Sequence, residues 1–218
     1  MTDPMNNPET LPCRTARTRA GSGFTLVEMV GVLAIMAILT SMLLPRVFAV
    51  INDARVSSAA TALNAVRSAA MTYFGRHGRF GDASGTAVTD FTSTTASAWD
   101  REVLLRGGFL DRRFMTRISD AASVTLTNCL TGSTEPTGAN DAYDLDGLDS
   151  PRNDASGGRV VVQAILENVA LEDARELNRR IDLDENLLST ADTSNQGRVK
   201  FNMSGSQSGT VKVYLAHR

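Results

Sequence analysis

A chain of 218 residues with 22 basic and 24 acidic side chains has room for one modest domain and an appendage. Its formal net charge of −2 argues against a generic basic binder of nucleic acid or anionic surfaces. Two cysteines, Cys13 and Cys129, are too few for a disulfide framework and lack the Cys-x-x-Cys spacing of a zinc or thioredoxin-like site.

The chain opens on a polar stretch with three prolines that ends in Arg14, Arg17 and Arg19. Residues 24–44, FTLVEMVGVLAIMAILTSMLL, then hold 16 apolar residues out of 21 and a single charge, Glu28. As a helix this run reaches roughly 30 Å, the thickness of a hydrocarbon core. By the positive-inside rule the arginine-bearing leader stays in the cytoplasm and the chain beyond about residue 45 is exported. A secretory signal peptide cut before Val50 is an alternative. It is disfavoured by the length of the apolar run, by Glu28 near its start, and by Pro45-Arg46 in the cleavage region. A carboxylate inside a spanning segment is costly, so Glu28 marks function unless it snorkels to the headgroups from its place near the helix end.

The junction reads Gly23-Phe24-Thr25-Leu26-Val27-Glu28. It closely resembles the type IV prepilin family, which includes pilins and the pseudopilins of type II secretion. The pattern of that family is a glycine before the cut, Phe or Met after it, then T-L-[IV]-E. The resemblance covers residues 19–50 and includes Pro45, where these proteins often place a helix-kinking proline. It implies a cytoplasmic leader, residues 1–23, removed between Gly23 and Phe24 by a membrane prepilin peptidase, with N-methylation of the new Phe24 amine. It also implies that Glu28 pairs with such an amine during assembly. The partners implied are other pilin or pseudopilin subunits, an inner-membrane assembly platform and membrane lipid. The leader is long beside those pilins whose leaders run under ten residues.

Beyond Pro45 the pattern turns amphipathic. Val47, Ile51, Ala54, Ala59, Ala62, Leu63, Val66, Ala70, Tyr73 and Phe74 recur mostly at three- and four-residue steps and predict a continuation helix over 46–75 with one packing stripe. Pro45 should bend the helix without ending it, and Gly75 is the expected stop. From Phe24 to Phe74 such a helix is roughly 75 Å long. Residues 75–96 read as a loop. A short helix follows, with Trp99, Val103 and Leu104 facing inward and Gly107-Gly108 ending it. Strand patterns at Ala122–Thr127, Arg159–Leu166, Arg198–Met203 and Thr210–Leu215, with a helix at Leu171–Ile181, predict an α+β head over 76–218. The expected architecture is a four-stranded antiparallel sheet laid on the long N-terminal helix. The resemblance implies the same arrangement.

The most charged loop, residues 140–154, carries Asp141, Asp144, Asp146, Asp149 and Asp154 with Arg152 opposing. Carboxylates at this spacing suit Ca²⁺, and Asp144, Asp146 and Asp149 are the candidate ligands. The loop nevertheless fails the EF-hand pattern at its first and last ligand positions, Ala142 and Asn153. A solvated acidic loop remains the alternative.

The sequence offers no catalytic constellation. His77 and His217 read as surface residues, and Gly205-Ser206-Gln207-Ser208-Gly209 puts glutamine where a nucleophile elbow needs serine. Losing the leader removes three arginines against Asp3 and Glu9, so the mature chain goes from −2 to −3 and gives no support to nucleic-acid binding. The expectation is a non-enzymatic pilin or pseudopilin subunit, single-pass in the inner membrane with an extracytoplasmic head and found in a pilus or pseudopilus after assembly. The rival is an anchored periplasmic binding or enzymatic domain that does not polymerise. The signature does not separate major pilin, minor pilin and pseudopilin.

Overall fold

The structure is a computed structural model and describes residues 23–128, 143–145, 159–183, 192–203 and 205–218. The chain divides into two compact units, Met1–Arg46 and Val47–Arg218. Helix α1, Leu26–His77, runs through both and continues unbroken at Pro45. In the first unit every large apolar side chain of α1 is exposed, and the helix is long and apolar enough there to cross a membrane. Thr40 and Ser41 interrupt the run without leaving unpaired hydroxyls. Thr40 Oγ1 donates to the Met36 carbonyl at 2.7 Å and Ser41 Oγ to that of Ile38 at 2.8 Å, which lowers the cost of placing them in hydrocarbon.

The second unit is α+β. After α1 come the one-turn helix α2, Thr94–Ser97, a π-helical turn at Asp100–Leu105, and strand β1, Ala121–Asn128. Next are β2, Val160–Ala170, helix α3, Leu171–Ile181, and strands β3, Thr193–Ser194, β4, Val199–Asn202, and β5, Ser208–His217. The sheet has five strands rather than the expected four, in the order β1-β2-β5-β4-β3, every pair antiparallel. The extra strand, β3, is a two-residue pairing with Asn202 and Phe201, too short to carry an alternation. The β2–β5 register shifts between Leu166 and Val169. Asn168 adopts φ +54° there, and its amide donates to Asp120 while its carbonyl oxygen accepts from the Ser208 hydroxyl.

One core joins α1 to one face of the sheet. Val56, Ala59, Leu63, Val66, Ala69, Ala70 and Tyr73 pack in a single buried cluster with side chains of β1, β2, β4 and β5, Leu126, Leu166, Phe201 and Val213 among them. Burying each large aliphatic chain contributes about 1.5–3 kcal/mol before the entropy of ordering it. This stripe corrects the expected one. Val47, Ile51 and Ala54 are exposed, whereas Val56 and Ala69 are buried, because the buried face begins only where the sheet is there to cover it. The helix also passes Gly75 and ends at His77. Gly78, at φ +70°, terminates it, with its N–H on the Phe74 carbonyl at 2.7 Å.

The loop after α1 is tied back by two aromatic donors. Tyr73 Oη–H donates to the Asp82 carbonyl at 2.5 Å and Trp99 Nε1–H to that of Gly81 at 2.7 Å, with the two rings edge to face at 5.2 Å. Trp99, Val103 and Leu104 are fully buried as expected. Burial pushes the Tyr73 hydroxyl up from its ordinary pKa, and the Asp82 charge adds to the shift. His77 is half-buried rather than a surface residue: its ring stacks on Tyr73 at 4.5 Å, with Phe109 edge-on at 6.2 Å. On α3, Arg180 reaches both Glu176 and Asp53 of α1, while Ala174 and Leu177 enter the core.

Candidate processing and assembly segment

Gly23, Phe24 and Thr25 precede the helix and are exposed, Phe24 at 77 %. A side chain added at Gly23 would meet nothing within 4 Å. The Gly23–Phe24 peptide bond therefore lies in non-helical, accessible backbone, which suits a peptidase because a helical bond must first unwind to be cut.

The next four residues explain why the helix starts where it does. Thr25 N–H and Oγ1–H both donate to Glu28 Oε2, at 2.8 and 2.9 Å, and Glu28 N–H donates back to Thr25 Oγ1 at 3.3 Å. The Thr25 carbonyl accepts from Met29 N–H at 3.3 Å. This is a capping box, in which the first helical turn's otherwise unpaired N–H groups find side-chain oxygens. The carboxylate also faces the positive end of the helix dipole. Thr25 escaped the sequence reading as a partner of Glu28, although Thr-x-x-Glu ahead of an apolar run is the signal for it. The cap uses one oxygen of Glu28. Its other oxygen, Oε1, has no hydrogen bond among the described residues.

The structure thus brings Thr25 and Glu28 together one residue past the Gly23–Phe24 bond, and holds Pro45 further along the same helix. Of the candidate calcium ligands, only Asp144 falls among the described residues. It is buried, its carbonyl accepts from Gly197 N–H at 2.7 Å, and it forms a bridge with Gln196. Asp141, Asp146, Asp149 and Asp154 of the acidic loop lie outside the described residues, as do both cysteines and leader residues 1–22. Among the described residues no three His, Cys, Asp or Glu side chains converge as a metal site. His217 accepts or donates at Nδ1 with the Tyr214 hydroxyl at 2.5 Å, inside the head rather than in a cleft with a nucleophile.

Residues 18–44 match the family described as the prokaryotic N-terminal methylation motif, the prepilin-type cleavage and methylation segment of type IV pilins and pseudopilins. No curated protein and no solved structure matches the chain.

Proposed function

We propose, with the methylation motif at residues 18–44 as premise, that this chain is a pilin-like structural subunit rather than an enzyme. It is made as a precursor, cut between Gly23 and Phe24 by a prepilin peptidase, methylated on the Phe24 nitrogen, and assembled through α1 into a pilus or secretion pseudopilus. Before assembly it crosses the inner membrane once and carries its α+β unit outside the cytoplasm. Its partners are the peptidase, other pilin or pseudopilin subunits and an assembly platform in the membrane.

The observation that carries this reading is the placement of the motif. Its cleavage junction lies in exposed, non-helical backbone immediately before a capped helix whose first twenty residues expose a mainly apolar surface, with Glu28 in the cap as the one charge. Cutting there leaves Thr25 N–H and its bonds to Glu28 intact, because the Phe24–Thr25 peptide survives. It also creates a cation next to the cap, within one chain or between neighbours, where Glu28 Oε1 is available to accept from it.

Intact mass and N-terminal peptide mapping of native protein from membrane and sheared-surface fractions test the proposal. A chain starting at N-methylated Phe24 and present in the sheared fraction is the expected result. An uncut N-terminus in cells with active prepilin peptidase overturns it in favour of a non-polymerising anchored domain. A start at Val50 makes the chain a secreted soluble protein.

A further inference from the structure

The chain is acidic overall, yet one surface of the second unit is locally basic. The loop from Asp111 to Ile118 exposes Arg112, Arg113, Met115 and Arg117 while burying Phe114 and Ile118. Phe114 and Ile118 belong to the core cluster and so fix the loop from within. Arg55 of α1 fixes it from the side, its Nη2 and Nε donating to the Arg117 carbonyl at 2.8 and 3.3 Å. Among the described residues neither Arg112, Arg113 nor Arg117 has an acidic side chain within ion-pair distance, whereas Arg106, Arg175, Arg179 and Arg180 all do. Carboxylates lie nearby in Asp111 within the loop, in exposed Asp120 two residues beyond it, and in Asp173, which faces Arg55. Beside the arginines, Met115 is 63 % exposed, one of the few large apolar side chains outside the apolar run to be so.

We propose that this loop is a docking surface for the anionic lipid headgroups of the membrane that α1 crosses. The inference rests on the membrane-spanning reading above. Connectivity supplies the reach. Arg55 follows Leu44, the last residue of the apolar run, by eleven helical residues, so it stays within about 16 Å of that boundary at any bend in between. Arg55, which holds the Arg117 carbonyl of the loop, thus stays close to that boundary along the chain. Exposed guanidinium groups bind phosphate in bidentate fashion, and an adjacent thioether enters the boundary between headgroups and acyl chains. Each arginine near an anionic surface adds to the attraction, and salt screens it. Such a contact would hold the subunit at the membrane before assembly and would have to be released on extraction.

The test uses the full chain in lipid nanodiscs, either of phosphatidylcholine alone or with about one third phosphatidylglycerol. Trypsin cleavage after Arg112 and Arg113 is timed against cleavage after Arg79, which is exposed beyond the far end of α1. Anionic discs should slow the loop sites about fivefold or more relative to Arg79, and 0.5 M salt should restore them. Arg117→Gln should relieve part of the protection, since it removes a charge but keeps the backbone oxygen that Arg55 holds. Equal rates in both lipids, in a chain that enters the discs, overturn this proposal alone. Protection in neutral lipid that rises with the number of chains per disc makes the loop a subunit contact instead and also overturns it. A chain that fails to enter the discs overturns the membrane-spanning reading, and this one with it.

Discussion

Replacing Asp182 by alanine probes how the end of α3 is fastened to the sheet. The Asp182 carboxylate is buried and accepts three contacts, from Arg198 N–H at 2.9 and 3.0 Å and from Val199 N–H at 3.0 Å. Gly197, at φ +78°, lies so close that a Cβ there would fall 2.6 Å from Asp182 Oδ2. The carboxylate thus closes the turn that leads into β4. Alanine leaves two backbone donors without acceptors, the one on Val199 fully buried. At about 1–3 kcal/mol for each stranded donor, the expected loss is about 2–4 kcal/mol, or about 5–15 °C in Tm for a unit of this size. Trp99 is the only tryptophan and is buried, so its fluorescence reports urea unfolding of the full chain in detergent micelles directly.

The pH dependence supplies a second check. Burial pushes the Asp182 carboxyl up, against the opposing pull of the Arg198 and Val199 bonds. A raised carboxyl contributes stability that is fully present below its unfolded value of 3.8 and is lost as pH rises through the folded value. The gap between the native chain and Asp182→Ala should therefore widen as pH falls from neutral toward that value. A loss under about 1 kcal/mol with an unchanged urea slope, or a gap that narrows on acidification, refutes the reasoning.

Two glycines test where α1 ends. Gly75→Ala should stabilise by about 0.5–1 kcal/mol, being mid-helix with open space around it, whereas Gly78→Ala should destabilise by about 1–2 kcal/mol because of its left-handed backbone. Equal signs in the same urea assay would contradict that helix end. Thr25→Val removes the hydroxyl from the capping box and should cost about 1 kcal/mol locally, raising amide exchange at Glu28 about fivefold while leaving the Val56–Tyr73 stretch unchanged. Exchange measured by NMR in micelles decides it, and an unchanged rate at the Glu28 amide would remove the cap from the account. Asp82 is held below the usual carboxylate range first by the Ser84 hydroxyl and then by the Thr86, Ser84 and Gly85 amides. Its contribution is present above 3.8 and lost as pH falls through the lowered value, so Asp82→Asn should destabilise the chain at pH 7 and converge with it under acid. Parallel stability curves across that range would exclude the Asp82 turn as the source.

Residues 18–50 carry the plainest message in the chain because membrane chemistry and helix capping are local. A run such as Val27–Leu44 needs no tertiary partner to declare itself apolar, and Thr25-x-x-Glu28 specifies its own helix start. The amphipathic part of α1 and the strands around Val124, Val162, Val199 and Val213 were also legible, since period 3.6 and period 2 survive without context. Tertiary structure decided the rest. Which turn of α1 is first buried depends on where the sheet stops, so Ile51 is exposed and Val56 is not. Whether the helix ends at Gly75 or Gly78 depends on Tyr73 and Trp99 drawing residues 81–82 back by hydrogen bonds. The same holds for charge. The composition gave a mildly acidic chain, but the positions of Arg55, Phe114 and Ile118 gather Arg112, Arg113 and Arg117 on one loop without acidic partners. A sum over the sequence conceals such a surface because electrostatic action at a boundary depends on where charges stand within a Debye length, not on their total.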